Sequence, residues 1–399
     1  MKPPSSSTSS SEPAGAGPDP EPAPDRPGGG LRDAAIVAAW MLAALALMDV
    51  AVDRTFRLPR DPRVKATNPL VTYFNYGTSI EGKIRREVGP SDESTSLLAM
   101  AGWVDEQARS NPGAVAPPGG ILASFYGMSF SSDVAKQLAE VEPRVGLRLF
   151  GGPAAPANHS HAIAGLDRGG QSDVMVLGVL ASSVKGVATN NGMTWRFENP
   201  APFTYPRHEA GASGLEARWP MVRTLDDTRA ALADPALWGR YLAQLRATDD
   251  FYNDFLFRHD LSDSSTLVRM VRRAVAQRWE AARAARTHGP KGFVESSPAM
   301  ASLRAIVAAF AAGARRDGKV PVVLLLEDQG YGDHLGRALE PVLGAGRIPH
   351  LATHTVCSPT DRRNFLPDGH FTEEANRKNA RALLEVIRRE LPGRLDPRG

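Results

Sequence analysis

A chain of 399 residues is long enough for two average domains or for one α/β domain with an insertion. With 42% hydrophobic and 23% charged residues, most of it has the composition of a globular protein. A formal net charge of +3 is too small to indicate nucleic-acid binding. The single cysteine, Cys357, excludes an internal disulfide and a metal site built from several cysteines.

The first 33 residues lack the composition of a folded core. Residues 1–30 contain 19 Pro, Ser or Gly and almost no large apolar side chain. Burial could therefore not repay the entropy of ordering them. We predict a disordered tail over residues 1–33.

An unbroken apolar run follows from Ala34 to Met48, and it extends to Val52 if Asp49 is tolerated. Residues 34–52 would form about 28 Å of helix, which just spans a bilayer. The alternative is a buried core helix, because alanine dominates the run. We favour a single transmembrane helix, since no neighbouring segment could cover it. A cleaved signal peptide fits less well, because the preceding tail is long and no small-x-small cleavage site follows.

The charges beside this run bear on its orientation. Three basic residues precede it and five follow it closely: Lys2, Arg26 and Arg32, then Arg54, Arg57, Arg60, Arg63 and Lys65. By the positive-inside rule, this excess weakly favours a cytoplasmic C-terminal part.

After a juxtamembrane connector over residues 53–119, strands and helices alternate. Continuous apolar runs predict four strands, at Ile121–Tyr126, Val145–Phe150, Asp173–Leu180 and Val320–Leu326. A helix with Ser132 as its N-cap is expected after the first strand, and others near 300–312 and after residue 370. Strands that are apolar throughout suit a parallel sheet covered on both faces.

This alternation predicts an α/β domain over residues 120–392. We expect a doubly wound, flavodoxin-like three-layer sandwich with a parallel sheet and with active residues at the C-terminal strand ends. A polar stretch rich in Arg, Asp, Trp and Tyr, at about residues 224–286, predicts a helical insertion.

Ser129 is a candidate nucleophile because it follows a buried strand and opens a helix. A serine needs a base to take its proton and N–H donors to hold the oxyanion, and the start of a helix offers such donors. Gly127 would permit a tight turn before it. A plain helix-start serine is the alternative, and Gly-x-Ser alone favours that alternative.

Asp368-Gly369-His370 lies in a loop just before a helix that starts near Thr372. The carboxylate could hold one ring nitrogen of His370 and leave the other free as a general base. Asp and Gly are also common in ordinary turns. Together with a serine at a strand end of the same α/β pattern, the catalytic interpretation is favoured.

Residues 121–131, Ile-Leu-Ala-Ser-Phe-Tyr-Gly-Met-Ser-Phe-Ser, resemble the first block of the SGNH (GDSL-like) esterases and acyltransferases, with Met128 in place of the usual Asp. Pro-Asp-Gly-His-Phe-Thr, from residue 367, resembles the last block, which supplies the acid and the base. The resemblance covers about residues 120–390. It implies a triad of Ser129, His370 and Asp368 that needs no cofactor.

The two middle blocks of that family match less well. Gly151-Gly152-Pro153 is similar to the second block, which implies that Gly152 donates an oxyanion-hole N–H. The third block, Gly-x-Asn-Asp, is replaced by Gly178-Val179-Leu180-Ala181, so the asparagine donor is absent there. We expect Asn158 to substitute for it, with Asn190 and Asn191 as alternatives.

The resemblance implies a serine esterase or O-acyltransferase acting on a small acyl ester or an acylated polysaccharide of the cell envelope or secreted material. Membrane-anchored proteins of this family, which are typical of bacteria, often modify envelope or secreted polysaccharides. The resemblance therefore implies an extracytoplasmic domain, although the charges beside the apolar run favour the opposite orientation. The alternative is a catalytically inactive binding or assembly subunit of a polysaccharide export system, which Met128 and the missing asparagine favour.

Three further patterns could belong to a metal site, a pocket or a sugar-binding surface. His159-x-His161 lacks a third ligand at a recognisable spacing, so no metal site is predicted. Glu327 and Asp328 end the last strand and are expected to face water more than to line a pocket. The aromatic and basic residues of 195–207 could stack on sugars or form a packed loop, and the packed loop is favoured. No phosphate-binding glycine motif is present.

Overall fold

The computed structural model describes residues 30–89, 94–110, 114–211 and 214–395. The chain divides into two compact units, Met1–Met48 and Asp49–Gly399. The tail predicted to be disordered lies outside the described residues, except that its last residues, 31–33, begin the first helix.

The helices begin and end at the following residues: α1 Leu31–Thr55, α2 Pro69–Asn75, α3 Ile80–Val88, α4 Leu97–Met100, α5 Val104–Arg109, α6 Ser129–Val141, α7 Ala157–Asp167, α8 Leu225–Ala233, α9 Pro235–Thr248, α10 Asp254–Phe257, α11 Thr266–Ala284, α12 Pro298–Arg316, α13 His334–Ala345 and α14 Glu373–Glu390. The strands are β1 Ile121–Gly127, β2 Val145–Gly151, β3 Val174–Leu180, β4 Arg207–Gly211, β5 Gly214–Arg218, β6 His288–Gly289, β7 Gly292–Phe293, β8 Val320–Leu326 and β9 His350–Ala352.

Helix α1 is long and apolar enough to cross a membrane. It has 25 residues, its most apolar 18-residue window has a mean hydropathy of 2.2, and none of that window is buried in the protein. It extends a few residues beyond both ends of the predicted run. A single membrane-spanning segment is consistent with these properties.

The centre of the larger unit is a five-stranded parallel sheet in the order β2-β1-β3-β8-β9. The four predicted strands are present almost at their predicted ends. The fifth, β9, was not predicted, because three residues are too few to give an apolar pattern. After β2 the chain returns past β1 to form β3, so β1 and β3 flank the point where the strand order reverses. Ligands of open α/β sheets bind beside such a point, at the carboxyl ends of the strands.

Helices cover both faces of this sheet. Alternate side chains of β8 point to opposite faces, so Val322 and Leu324 pack with α6 and α14, whereas Val323 and Leu325 pack with α7, α12 and α13. The layers are therefore helix, sheet and helix. Because α6 and α14 share one face, the residues at their N-termini come together at one edge of the sheet.

Residues 224–286, the stretch predicted to be a helical insertion, contain helices α8 to α11. The segment expected to be a connector also forms short helices, α2 to α5. Ile80 and Ile84 of α3 pack in a third apolar cluster with Trp238 and Tyr241 of α9 and Ala276 of α11. A segment that precedes β1 in the chain and segments that follow β3 thus share one apolar cluster.

Candidate active site

Ser129 is the first residue of α6, two positions after the end of β1. Met128 occupies the N-cap position and makes no side-chain cap. The prediction that Ser132 caps this helix is wrong, because the helix starts a turn earlier. The Ser129 side chain is exposed, and its backbone N–H belongs to the first turn, where no intrahelical acceptor exists.

Gly127 does not have the left-handed φ of a tight glycine turn. It is instead needed because its lack of a side chain lets neighbouring segments pack closely. A Cβ on Gly127 would lie 2.2 Å from the Ser131 Oγ, and one on Gly178 of β3 would lie 1.9 Å from the same atom. The two glycines let the first turn of α6 approach the ends of β1 and β3. This close approach fixes the position of Ser129 over the edge of the sheet.

The His370 loop is held by its own backbone. Leu366 N–H donates to the His370 carbonyl at 2.7 Å, and Gly369 N–H donates to the Leu366 carbonyl at 2.9 Å. Gly369 has φ 89°, a left-handed conformation that glycine adopts without strain. Thr372 caps α14 by accepting from Ala375 N–H, so the helix starts where the sequence predicted.

The structure brings the three predicted triad residues together. Ser129 Oγ lies 2.7 Å from His370 Nε2, although the two residues are 241 positions apart. On the other side of the ring, Asp368 Oδ2 lies 3.2 Å from Nδ1. This order of hydroxyl, imidazole and carboxylate is the one that activates a serine nucleophile.

Phe130 fixes the imidazole from one side. Its ring stacks on His370 with centroids 4.6 Å apart and an interplanar angle of 22°, and it meets Phe371 edge-on. Such packing fixes the plane of the imidazole ring, and within that plane Nε2 is the atom that contacts Ser129.

The carboxylate is more exposed than the imidazole, with 66% of the Asp368 side chain accessible against 31% for His370. The His370 backbone N–H donates to Asp368 Oδ1 at 3.1 Å, and this bond, followed by attraction to the imidazole, holds the pKa of Asp368 below its usual value. The carboxylate is therefore ionised at neutral pH. Asp368 Oδ2 lies 3.2 Å from Nδ1, but the two atoms are not aligned well enough to form a hydrogen bond.

A cleft of about 600 Å³ opens beside Ser129 and His370. Its walls are mainly apolar. They comprise Gln107, Met128, Ser129, Phe130, Ser132, Leu149, Phe150, Gly151, Gly152, Pro153, Ala154, Leu180, Arg196 and His370. A cleft of this size is sufficient for an acyl group together with part of its alcohol.

Gly152, the predicted oxyanion donor, lines this cleft at the end of β2. A Cβ there would lie 2.9 Å from Gly102 Cα, so the segment before α5 leaves room only for glycine. Two residues later Ala154 has φ 53°, which costs a non-glycine residue about 1–2 kcal/mol. A loop held in such a conformation is typical of functional sites.

The structure does not bring Asn158 to the cleft. Its side chain is completely buried in α7, and its amide donates to the carbonyls of Thr189 and Pro206 at 3.2 Å each. Asn191 is also buried, bonded to Asp249 at 2.7 Å, and Asn190 donates to Thr248. These asparagines stabilise loops, and the end of β3 presents Leu180 to the cleft.

Glu327 does not face water, contrary to expectation. It is fully buried, and its Oε1 accepts from Gly336 N–H at 2.9 Å. Burial raises the pKa of Glu327 to about 8. Asp328 accepts from Ser182 N–H at 3.1 Å. Neither acid lines the cleft; both tie the ends of β8 to neighbouring turns.

The two histidines of α7 are packing residues. His159 Nε2 lies 2.6 Å from the Gly102 carbonyl, and burial lowers the pKa of His159 to about 4. His161 packs against His208 with ring centroids 5.1 Å apart. Within the described ranges, no group of three or more His, Cys, Asp or Glu side chains is arranged to hold a metal ion.

The aromatic stretch of 195–207 is a packed loop, as favoured from the sequence. Trp195, Phe197, Phe203 and Tyr205 are all buried. Arg196 is the exception, because it reaches the cleft.

Gln107 is a cleft residue that the sequence did not single out, whereas Arg196 belongs to the aromatic and basic stretch considered there. Gln107 comes from the expected connector, and its Oε1 accepts from Gly151 N–H at 3.1 Å. A lone glutamine on a short helix carries no recognisable signal. Arg196 was part of the stretch that could stack on sugars, but the sequence did not indicate that its side chain alone would reach the cleft.

Comparison with models of protein families gives no match for this chain, and neither curated proteins nor solved structures give one.

Proposed function

We propose that this chain is a serine-dependent esterase or O-acyltransferase of the SGNH type, acting on acyl esters of a cell-envelope or secreted polysaccharide. The observation that carries the proposal is the 2.7 Å contact between Ser129 Oγ and His370 Nε2 at the mouth of an apolar cleft. A hydroxyl within this distance of an imidazole can lose its proton as it attacks.

In the proposed reaction, Ser129 Oγ attacks the ester carbonyl while His370 Nε2 takes the hydroxyl proton. The N–H groups of Ser129 and Gly152 then stabilise the tetrahedral oxyanion. His370 returns the proton to the departing sugar oxygen, which leaves an acyl group on Ser129. Water or a second sugar hydroxyl, deprotonated by His370, then attacks the acyl carbon. The bond between this carbon and Ser129 Oγ breaks, and His370 returns the proton to Oγ.

The strand order supports the finer description of the fold as doubly wound and flavodoxin-like. In that arrangement the order 2-1-3-4-5 corresponds to β2-β1-β3-β8-β9. The SGNH assignment rests on this order and on the first and last sequence blocks. Leu180, where the family has asparagine, leaves the oxyanion with two donors in place of three.

We also propose a single-pass membrane protein whose catalytic domain is extracytoplasmic, where envelope polysaccharides are found. Helix α1 supports the anchor. The basic residues that follow it favour the opposite orientation. A reporter enzyme fused to the C-terminus, active on only one side of the membrane, decides between the two.

A serine-reactive fluorophosphonate probe tests the chemistry. We expect the full chain to label, Ser129→Ala to abolish labelling, and Ser132→Ala, a serine that lines the same cleft, to keep it. Acetate release from O-acetylated polysaccharide should follow the same pattern. Folded protein that never labels and never releases acetate would instead support the non-catalytic assembly subunit.

A further inference from the structure

The cleft contains one fixed positive charge and no acidic side chain among the residues that line it. That charge is Arg196, which comes from the loop after β3. We propose that Arg196 binds an anionic group, a carboxylate or a phosphate, on the sugar that carries the scissile ester. This inference rests on the proposed function. The substrate class is then an acylated acidic glycan.

Arg196 reaches the cleft while bonded to a backbone carbonyl. Its Nη1 donates to the Pro153 carbonyl at 3.1 Å, and over the described ranges no ion pair within 4.0 Å joins its guanidinium to an Asp or Glu side chain. An arginine has five N–H donors, so most of them remain available to a ligand. Planar guanidinium groups match the two oxygens of a carboxylate or phosphate.

The surroundings make an uncompensated charge costly. Arg196 is only partly accessible, and burial lowers the pKa of its guanidinium. Lys185 adds a second cation, with Nζ 5.7 Å from the centre of the Trp195 ring, while Arg196 Cζ lies 6.0 Å from the same ring. Two acids partly compensate this charge from farther away. Glu280 accepts from Phe197 N–H at 2.6 Å, and burial raises the pKa of Glu87 to about 7, so that its carboxylate is only partly ionised at neutral pH. A partly desolvated cation gains most from an anion that arrives with the ligand.

Arg196 could act differently, by holding the Pro153 carbonyl so that the strained loop at Ala154 keeps Gly152 in place. In that case the substitution would impair every ester equally. An anion site would instead impair acidic substrates selectively. The ratio of kcat/KM values on acidic and neutral substrates separates the two roles.

The experiment uses the full chain in detergent and measures acetate release from three O-acetylated hexasaccharides: a uronide, a neutral one and one that bears a phosphomonoester. We expect wild-type protein to prefer an acidic substrate, and the better of the two identifies the anion. Arg196→Gln should reduce that preference by about 10- to 100-fold. Arg196→Lys should restore part of it, because the charge remains without the planar fork. Arg240→Gln, an exposed arginine on α9, is the charge-matched control and should retain the preference.

A second arm separates this inference from the proposed chemistry. Ser129→Ala protein should bind the deacetylated uronide or phosphoglycan in calorimetry, and adding Arg196→Gln should abolish that binding. If binding behaves so but no acetate is ever released, the anion site stands and the esterase proposal fails. Equal losses on acidic and neutral esters, or no binding of either anionic glycan, would overturn the role of Arg196.

Discussion

Asp368 should contribute much less to catalysis than the buried aspartate of a typical serine protease triad. Its side chain is 66% exposed, and its 3.2 Å contact with His370 Nδ1 is screened by water. The stacked Phe130 ring also fixes the plane of the imidazole without help from the carboxylate. Replacing a buried triad aspartate by asparagine typically costs about 10⁴-fold in kcat.

We therefore expect Asp368→Asn to lower kcat by only about 3- to 30-fold, the effect of an exposed, imperfectly aligned contact. The asparagine oxygen can still accept the His370 backbone N–H, so the loop should stay folded. The assay is steady-state hydrolysis of p-nitrophenyl acetate at pH 7.5, with His370→Ala as the reference for loss of the base. A fall comparable to that of His370→Ala would refute the reasoning, as would no change at all.

Three further predictions concern the architecture. Burial raises the pKa of Glu327 from the ordinary 4.5 to about 8, so this group lowers the stability of the fold as pH rises through that interval. Glu327→Gln should therefore raise Tm more at pH 8 than at pH 5. An equal change in Tm at both pH values would contradict this. Gly178→Ala should reduce the free energy of unfolding by about 1–3 kcal/mol because its Cβ meets Ser131, whereas Gly239→Ala, where a Cβ meets nothing within 4 Å, should be neutral or stabilising. Denaturant unfolding measures both, and relief of the Gly178→Ala defect by Ser131→Ala would confirm the cause. Deletion of residues 1–48 should release the protein from the membrane fraction and keep its thermal unfolding transition; continued sedimentation with membranes would argue against α1 as the anchor.

The sheet was predictable because its strands are apolar throughout. The predicted Val320–Leu326 coincides with β8, and β1 exceeds its prediction by one residue. Such strands are buried on both faces, so their composition alone identifies them. The three-residue β9 and the short helices α2 to α5 were missed, because brief or mixed segments carry no periodic signal.

The proposed triad residues could be singled out from the sequence for a different reason. Ser129 and His370 lie at ends of elements, where local sequence shows a strand ending or a helix starting. Asn158 failed because its side chain bonds to distant carbonyls that no local pattern reveals. Glu327 failed likewise, since its burial depends on the packing of α13 against the end of β8. Which side chains face a cleft is decided by contacts between remote segments.

The central claim is that Ser129 is a nucleophile activated by His370, and the location of a covalent adduct tests it most directly. Wild-type protein and His370→Ala are treated with a fluorophosphonate, digested and analysed by peptide mass spectrometry. We expect the phosphonyl group on Ser129 in the wild-type protein and at least about 100-fold slower modification in His370→Ala. Modification of another serine, or equal rates in the two proteins, would contradict the account.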